Sequence, residues 1–136
     1  MPSIKDISWK SLASVFDSRG ILTSIESNID IPFEIKRIFY MHHVISERGG
    51  HAHINTDQIV IAISGSFTIK LFDGVNRVEF KMDDPTKGLY IPRMIFIELC
   101  DFSNDAVCLV LASTNYDIKK SIRSIDDFIR SITLEQ

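Results

Sequence analysis

Two histidines one residue apart, His51 and His53, follow Arg48-Gly49-Gly50 and carry the chemistry this sequence is best equipped to do. Alternate residues of a strand share a face, so both imidazoles point the same way with Ala52 opposite. Side by side on an inward face, they are costly to bury without a task or hydrogen-bonding partners. An imidazole with an unperturbed pKa of roughly 6.5 takes and returns protons near neutral pH. The pair therefore reads as a functional centre, either half of a metal site or a proton-transfer pair. His42 and His43 differ, because adjacent strand residues face opposite ways and at most one of them points inward.

The elements that must hold this pair are short apolar runs broken by turn residues. Candidate strands span 4–12, 21–27, 35–43, 50–53, 58–64, 66–72, 75–82, 88–92, 95–102 and 106–112. Spacing of roughly 8–12 residues marks a sandwich or closed barrel rather than βαβ units. Asp73-Gly74 suits the positive φ angles of a tight hairpin turn, and Ser64-Gly65 separates two further strands in the same way. Ile59 to Ile63 is apolar on both faces and predicts a strand buried on both sides. Towards the end the period changes. Ile118, Ile122, Ile125, Phe128, Ile129 and Ile132 recur at steps of three and four, which predicts an amphipathic helix over about 118–133.

Composition narrows the function. At 136 residues and 45% hydrophobic, the chain is expected to form one domain over 1–136 with a real core. A net charge of -3, with Lys and Arg scattered, argues against a nucleic-acid surface. No apolar run approaches the ~18 residues of a membrane span and no secretory leader is visible, so the cytoplasm is the expected compartment. Cys100 and Cys108 lie inside apolar runs without metal spacing and read as buried free thiols.

The histidine segment resembles the first cupin motif, Gly, five residues, His-x-His, three or four residues, Glu, six residues, Gly. Here His51-x-His53 is followed by a four-residue gap, then Gln58, six residues and Gly65. Gly88-Leu-Tyr-Ile-Pro92 matches the start of the second motif, but Ile97 holds the place of its histidine. The resemblance implies an all-β cupin jelly roll with one C-terminal helix. Metal cupins use three His and one Glu, whereas this chain offers two imidazoles, a neutral amide and an alkyl group. Such a set is a poor site for Fe, Mn or Zn, so no metal and no other cofactor is expected.

Within the metal-free cupins, the chain is similar to the sugar 3,4-ketoisomerases acting on thymidine-diphosphate-linked 4-keto-6-deoxyglucose. The matching pieces run in order along most of its length. They include Phe16-Asp-Ser-Arg-Gly20, Ile31-Pro-Phe-Glu-Ile-Lys-Arg37, Phe39-Tyr40, His51-Ala-His53, Asp101-Phe102-Ser103, Tyr116-Asp117, Ile122-Arg123 and Asp127-Phe128. The resemblance implies an isomerase that moves the sugar carbonyl from C4 to C3, towards a 3-amino-3,6-dideoxyhexose. It implies His51 and His53 as catalytic residues with Tyr40 a possible partner for the sugar oxygens. Arg48 and Arg19 are the candidates for holding diphosphate, with Gln58 a further substrate contact and Lys36 and Arg37 read as partly solvated. A homodimer is implied too, with the 4–12 edge exchanged between subunits. The family commonly has Trp-His-Glu where this chain has Phe96-Ile97-Glu98, so a polar group facing the substrate is missing. Two other readings stay open: a 3,5-epimerase of a 4-keto sugar, and a catalytically silent nucleotide-sugar-binding cupin.

Overall fold

Strands form wherever the sequence alternates or runs apolar between turn residues. The computed structural model describes residues 2–135. After a 3-10 turn at Ile4–Asp6 come β1 (Ser8–Ser11), β2 (Ala13–Asp17), β3 (Gly20–Ser24) and β4 (Arg37–Met41). Then follow β5 (Arg48–His53), β6 (Gln58–Ser64), β7 (Phe67–Phe72) and β8 (Arg77–Met82). β9 (Lys87–Ile91), β10 (Phe96–Cys100), β11 (Val107–Ala112), β12 (Ser121–Ile122) and the helix α1 (Ile125–Glu135) complete the chain.

One sheet has the order β1-β9-β6-β11-β4 and the other β12-β5-β10-β7-β8, the two-layer arrangement of a cupin jelly roll. Val60, Ala62, Leu89, Cys108 and Val110 of the first sheet meet Phe67, Ile69, Leu71, Ile97 and Leu99 of the second, forming the barrel core. β6 is apolar on both faces because its outer face is covered as well, Ile59 and Ile61 packing under Leu12, Ile31 and Phe33. Only Ile63 at its end is open, at 45% exposure. Both cysteines are free and buried, and burial pushes the Cys108 thiol up to about 12. Among the described residues no helix is long and apolar enough to cross a membrane.

The turns behave as their residues require. Asp73 accepts from the backbone N–H groups of Val75 and Asn76 with one oxygen and from Ile4 with the other, so one buried carboxylate ties the β7–β8 hairpin to the start of the chain. Gly74 takes φ +100 inside that turn.

Three expectations are corrected. The first strand begins at Ser8, not Ile4, because the Ser3 side chain caps the 3-10 turn by accepting from the Lys5 N–H. A strand absent from the sequence reading, β2, pairs with β3 as a separate hairpin joined to neither large sheet. Finally, the helix begins at Ile125 rather than 118. Ser124 starts it, its hydroxyl accepting from the Asp127 N–H at 3.1 Å. Upstream, Asp117 caps a 3-10 turn at Ile118–Lys120, and Ser121–Ile122 pairs with β5 instead of coiling.

Candidate active site

β5 is shaped by two glycines. Its pairing with β10 shifts register between Ile97 and Glu98: Ile97 faces His51, and Glu98 faces Gly49. Gly50 is thus the extra residue of a bulge, and a bulge re-aims the side chains that follow it. Gly49 and Gly50 take φ +86 and +77, and a Cβ on Gly49 would lie 2.7 Å from the Ile97 carbonyl oxygen. Only glycine fits there without strain.

Beyond the bulge, alternation holds as expected. His51 and His53 share the inner face with ring centroids 4.9 Å apart, edge to face. Ala52 is fully buried on the outer face against Phe72, Phe96 and Phe128, so α1 clamps the histidine strand from behind. His51 lines a cavity of about 310 Å³ with Phe39, Arg48, Gln58, Ile97 and Val110 among its walls. That size suits a small-molecule site. Ile97 reaches this cavity directly beside His51, so the position where a cupin histidine would stand presents an alkyl wall.

Electrostatics keep the pair neutral. Burial pulls His53 down to about 4, with His51 and the guanidinium groups of Arg37 and Arg123 acting in the same direction. Burial also lowers His51, as do Arg123 and Arg48, while the Gly49 backbone beside its ring opposes the shift. His53 Nε2 and Arg37 Nε are the buried side-chain nitrogens without a hydrogen-bond partner among the described residues. Unpartnered buried polar atoms cost free energy and call for an explanation.

A stability test follows. The unfolded imidazole titrates near its ordinary 6.5 and the folded one near 4. The unfolded state therefore takes the proton first, so stability is full above about pH 6.5 and is lost as pH falls through about 4. Urea unfolding at pH 5 should give a stability about 1–2 kcal/mol below that at pH 7.5, and His53→Asn should remove most of that difference.

The other sequence candidates divide. Arg48 stands opposite Leu99 at the far end of the cavity wall, and Gln58 is buried on β6 lining the same space. Tyr40 also lines the cavity that holds His51. On β4 the residues Arg37, Phe39 and Met41 alternate inward, so Tyr40 leaves by the outer face, is 63% exposed and rests beside the His42 ring. Arg19 sits in the β2–β3 turn with its side chain 88% exposed and paired to Asp17 at 2.7 Å. That hairpin is a sheet of its own, and Arg19 is not among the residues that line the His51 cavity. His42 and His43 lie past the end of β4, both exposed, with their Nδ1 atoms 2.7 Å apart.

Sequence reasoning missed Arg37 and Arg123. For Arg37 the signal was available, since the alternation that turns Phe39 inward turns Arg37 inward with it. Arg123 depends on the β12–β5 pairing, in which Ser121 faces His53 and Ile122 faces Ala52. One further step of that register brings Arg123 opposite His51. Among the described residues no group of three or more His, Cys, Asp or Glu side chains comes together to hold a metal.

A two-sheet jelly roll with paired, half-buried imidazoles, one of them lining a small cavity, is the architecture of a cupin. The family described as FdtA, WxcM-like, C-terminal, matches residues 5–133, and the chain belongs to it. It is 42% identical over 127 residues to the TDP-4-oxo-6-deoxy-alpha-D-glucose-3,4-oxoisomerase of Aneurinibacillus thermoaerophilus, covering 90% of this chain and 91% of that one. Its structure is similar to that of QdtA, a sugar 3,4-ketoisomerase from Thermoanaerobacterium thermosaccharolyticum solved with TDP. The TM-score is 0.93 at 35% identity, over 98% of each chain. It is also similar to WlaRB, a TDP-quinovose 3,4-ketoisomerase from Campylobacter jejuni, with TM-score 0.87 at 41% identity over 93% of this chain and 98% of that one.

Proposed function

We propose that this isomerase converts TDP-4-keto-6-deoxyglucose to its 3-keto isomer, with His51 and His53 moving the protons. The observation that carries the mechanism is the pair itself: two imidazoles 4.9 Å apart, both biased to the neutral form, beside a cavity. A neutral imidazole takes the C3 proton, and the C–H electron pair becomes the C3–C4 double bond of an enediolate. The proton on O3 leaves as O4 gains one, and the imidazolium returns a proton to C4 while C3 becomes the carbonyl. Electrons balance within the sugar, so no redox cofactor is needed. The Gly49 backbone beside the His51 ring offers an acceptor for one ring N–H, which leaves the other nitrogen to act as base.

Metal independence belongs to this reading and is supported by the absence of a three-ligand cluster among the described residues. We place the enzyme in the cytoplasm, supplying a 3-keto sugar to an amino-transfer step that yields a 3-amino-3,6-dideoxyhexose.

The deciding experiment incubates the protein with TDP-4-keto-6-deoxyglucose in deuterated water and follows the sugar by NMR. Carbonyl migration with exchange at C3 is the expected result. Exchange at C3 and C5 with inversion would make the protein an epimerase, and tight binding without exchange would make it a silent binder. With both imidazoles lowered, the acid limb of kcat/KM should fall below pH 6.5 rather than at it.

The working unit of this reading is a homodimer. Val15, Phe16, Ile21 and Leu22 of the β2–β3 hairpin are 58%, 66%, 56% and 64% exposed. A lone two-stranded hairpin is marginal in water, so this one needs a partner surface, and a second copy supplies it. Light scattering should give twice the chain mass, and Phe16→Asp should shift the protein towards monomer at micromolar concentration.

A further inference from the structure

His42 and His43 are a second histidine pair, which the isomerase chemistry leaves unused. Adjacent residues of an extended chain point apart. His43 instead takes φ +52, a left-handed conformation uncommon outside glycine, just past the end of β4. The two rings meet there, with centroids 4.9 Å apart and Nδ1 atoms 2.7 Å apart. Neither is ion-paired to a carboxylate among the described residues. Both are exposed, and with Tyr40, Met41, Ser46 and Arg48 they line a groove of about 240 Å³. Tyr40, Met41 and Arg48 also line the His51 cavity, so the groove adjoins it.

We propose that His42 and His43 bind a divalent copper or nickel ion through their two Nδ1 atoms, with water in the groove completing its shell. The site is independent of the isomerase reading. Copper(II) and nickel(II) favour tetragonal geometry, in which neighbouring ligands stand at right angles. With metal–nitrogen bonds of about 2.0 Å such neighbours lie about 2.8 Å apart, whereas a tetrahedral zinc would separate them by about 3.3 Å. The 2.7 Å between the Nδ1 atoms fits the first spacing and not the second. Without a metal, two neutral rings in contact make one hydrogen bond, one Nδ1–H donating to the other Nδ1. Moving that proton to Nε2 of the donor ring frees both Nδ1 lone pairs, and exposed rings can swing them towards one point. The His51–His53 pair differs, being sunk in the barrel with Ile97 where a further ligand would stand. At His42–His43 the groove leaves room for water at the remaining positions.

Titration of copper(II) chloride into the intact, untagged chain, followed by electron paramagnetic resonance, tests this. One copper per chain is expected, with a tetragonal spectrum and splitting from two nitrogens. His42→Asn and His43→Gly should each weaken binding at least about tenfold, while His53→Asn leaves it unchanged. Glycine suits the left-handed backbone at position 43, so His43→Gly should keep the wild-type melting temperature. Nickel should compete for the same site, and zinc should bind at least about tenfold more weakly than copper. A wild type that takes up no stoichiometric copper would overturn the proposal. So would copper held as tightly by His42→Asn and His43→Gly, copper lost in His53→Asn instead, or zinc bound as tightly as copper.

Discussion

His51→Asn should lower turnover of TDP-4-keto-6-deoxyglucose by about a thousandfold, and His53→Asn by a comparable factor, each with TDP affinity close to wild type. Asparagine keeps a polar, planar group of similar reach but has no basic nitrogen. It can still hydrogen-bond to sugar oxygens, so binding survives, while the carbon-bound proton has nowhere to go. Single-turnover NMR in deuterated water separates the two roles. A variant that still exchanges C3 without completing migration has lost the oxygen proton transfer; one that exchanges nothing has lost the base at carbon. Near wild-type turnover in both variants would end the histidine mechanism. The melting temperature provides the control, because His53 has an unpartnered buried Nε2 whose removal costs the fold little.

The largest effect on stability is expected at Phe128. Its side chain is fully buried, with its ring 6.0 Å from that of Phe72 and 5.7 Å from that of Phe96. Phe128→Ala should cost about 3–5 kcal/mol, measured by urea unfolding at pH 7.5, and Phe128→Leu distinctly less. The loss is not confined to the helix. Phe128 packs in the cluster that contains Ala52 and is joined by Ile122, so it presses both the histidine strand and β12 into place. A cost below about 1 kcal/mol would mean that α1 is only loosely seated on the sheet.

How much of this was legible depended on whether the deciding contact was local. The β6 to β11 strands could be read because each buries a face in its own chain and is bounded by Gly, Asp or Pro. β2 could not. Ala13 to Asp17 covers no core of this chain, so nothing imposed an alternating pattern on it. The helix start was misplaced because Ile118 and Ile122 fit a helical spacing by coincidence, while the cap at Ser124 was the stronger signal. In the site, the face shared by His51 and His53 followed from a period of two. The same rule applied to β4 puts Arg37 and Phe39 on one face and Tyr40 on the other. Arg123 was out of reach in principle, since its place beside His51 comes from pairing segments far apart in the chain.

That pairing bears on how the enzyme comes into being on the ribosome. Every strand lining the cavity, from β4 to β11, precedes β12 in the order of translation. A nascent barrel can therefore close around both imidazoles while the segment bearing Arg123 and the Phe128 anchor is still being made. Until that segment docks, the outer edge of the histidine strand lies open and Arg123 is missing from the cleft. Chains interrupted after the barrel should thus be compact yet leave the edge of β5 unpaired and the cluster behind Ala52 without Phe128, so the histidine strand is seated late in maturation.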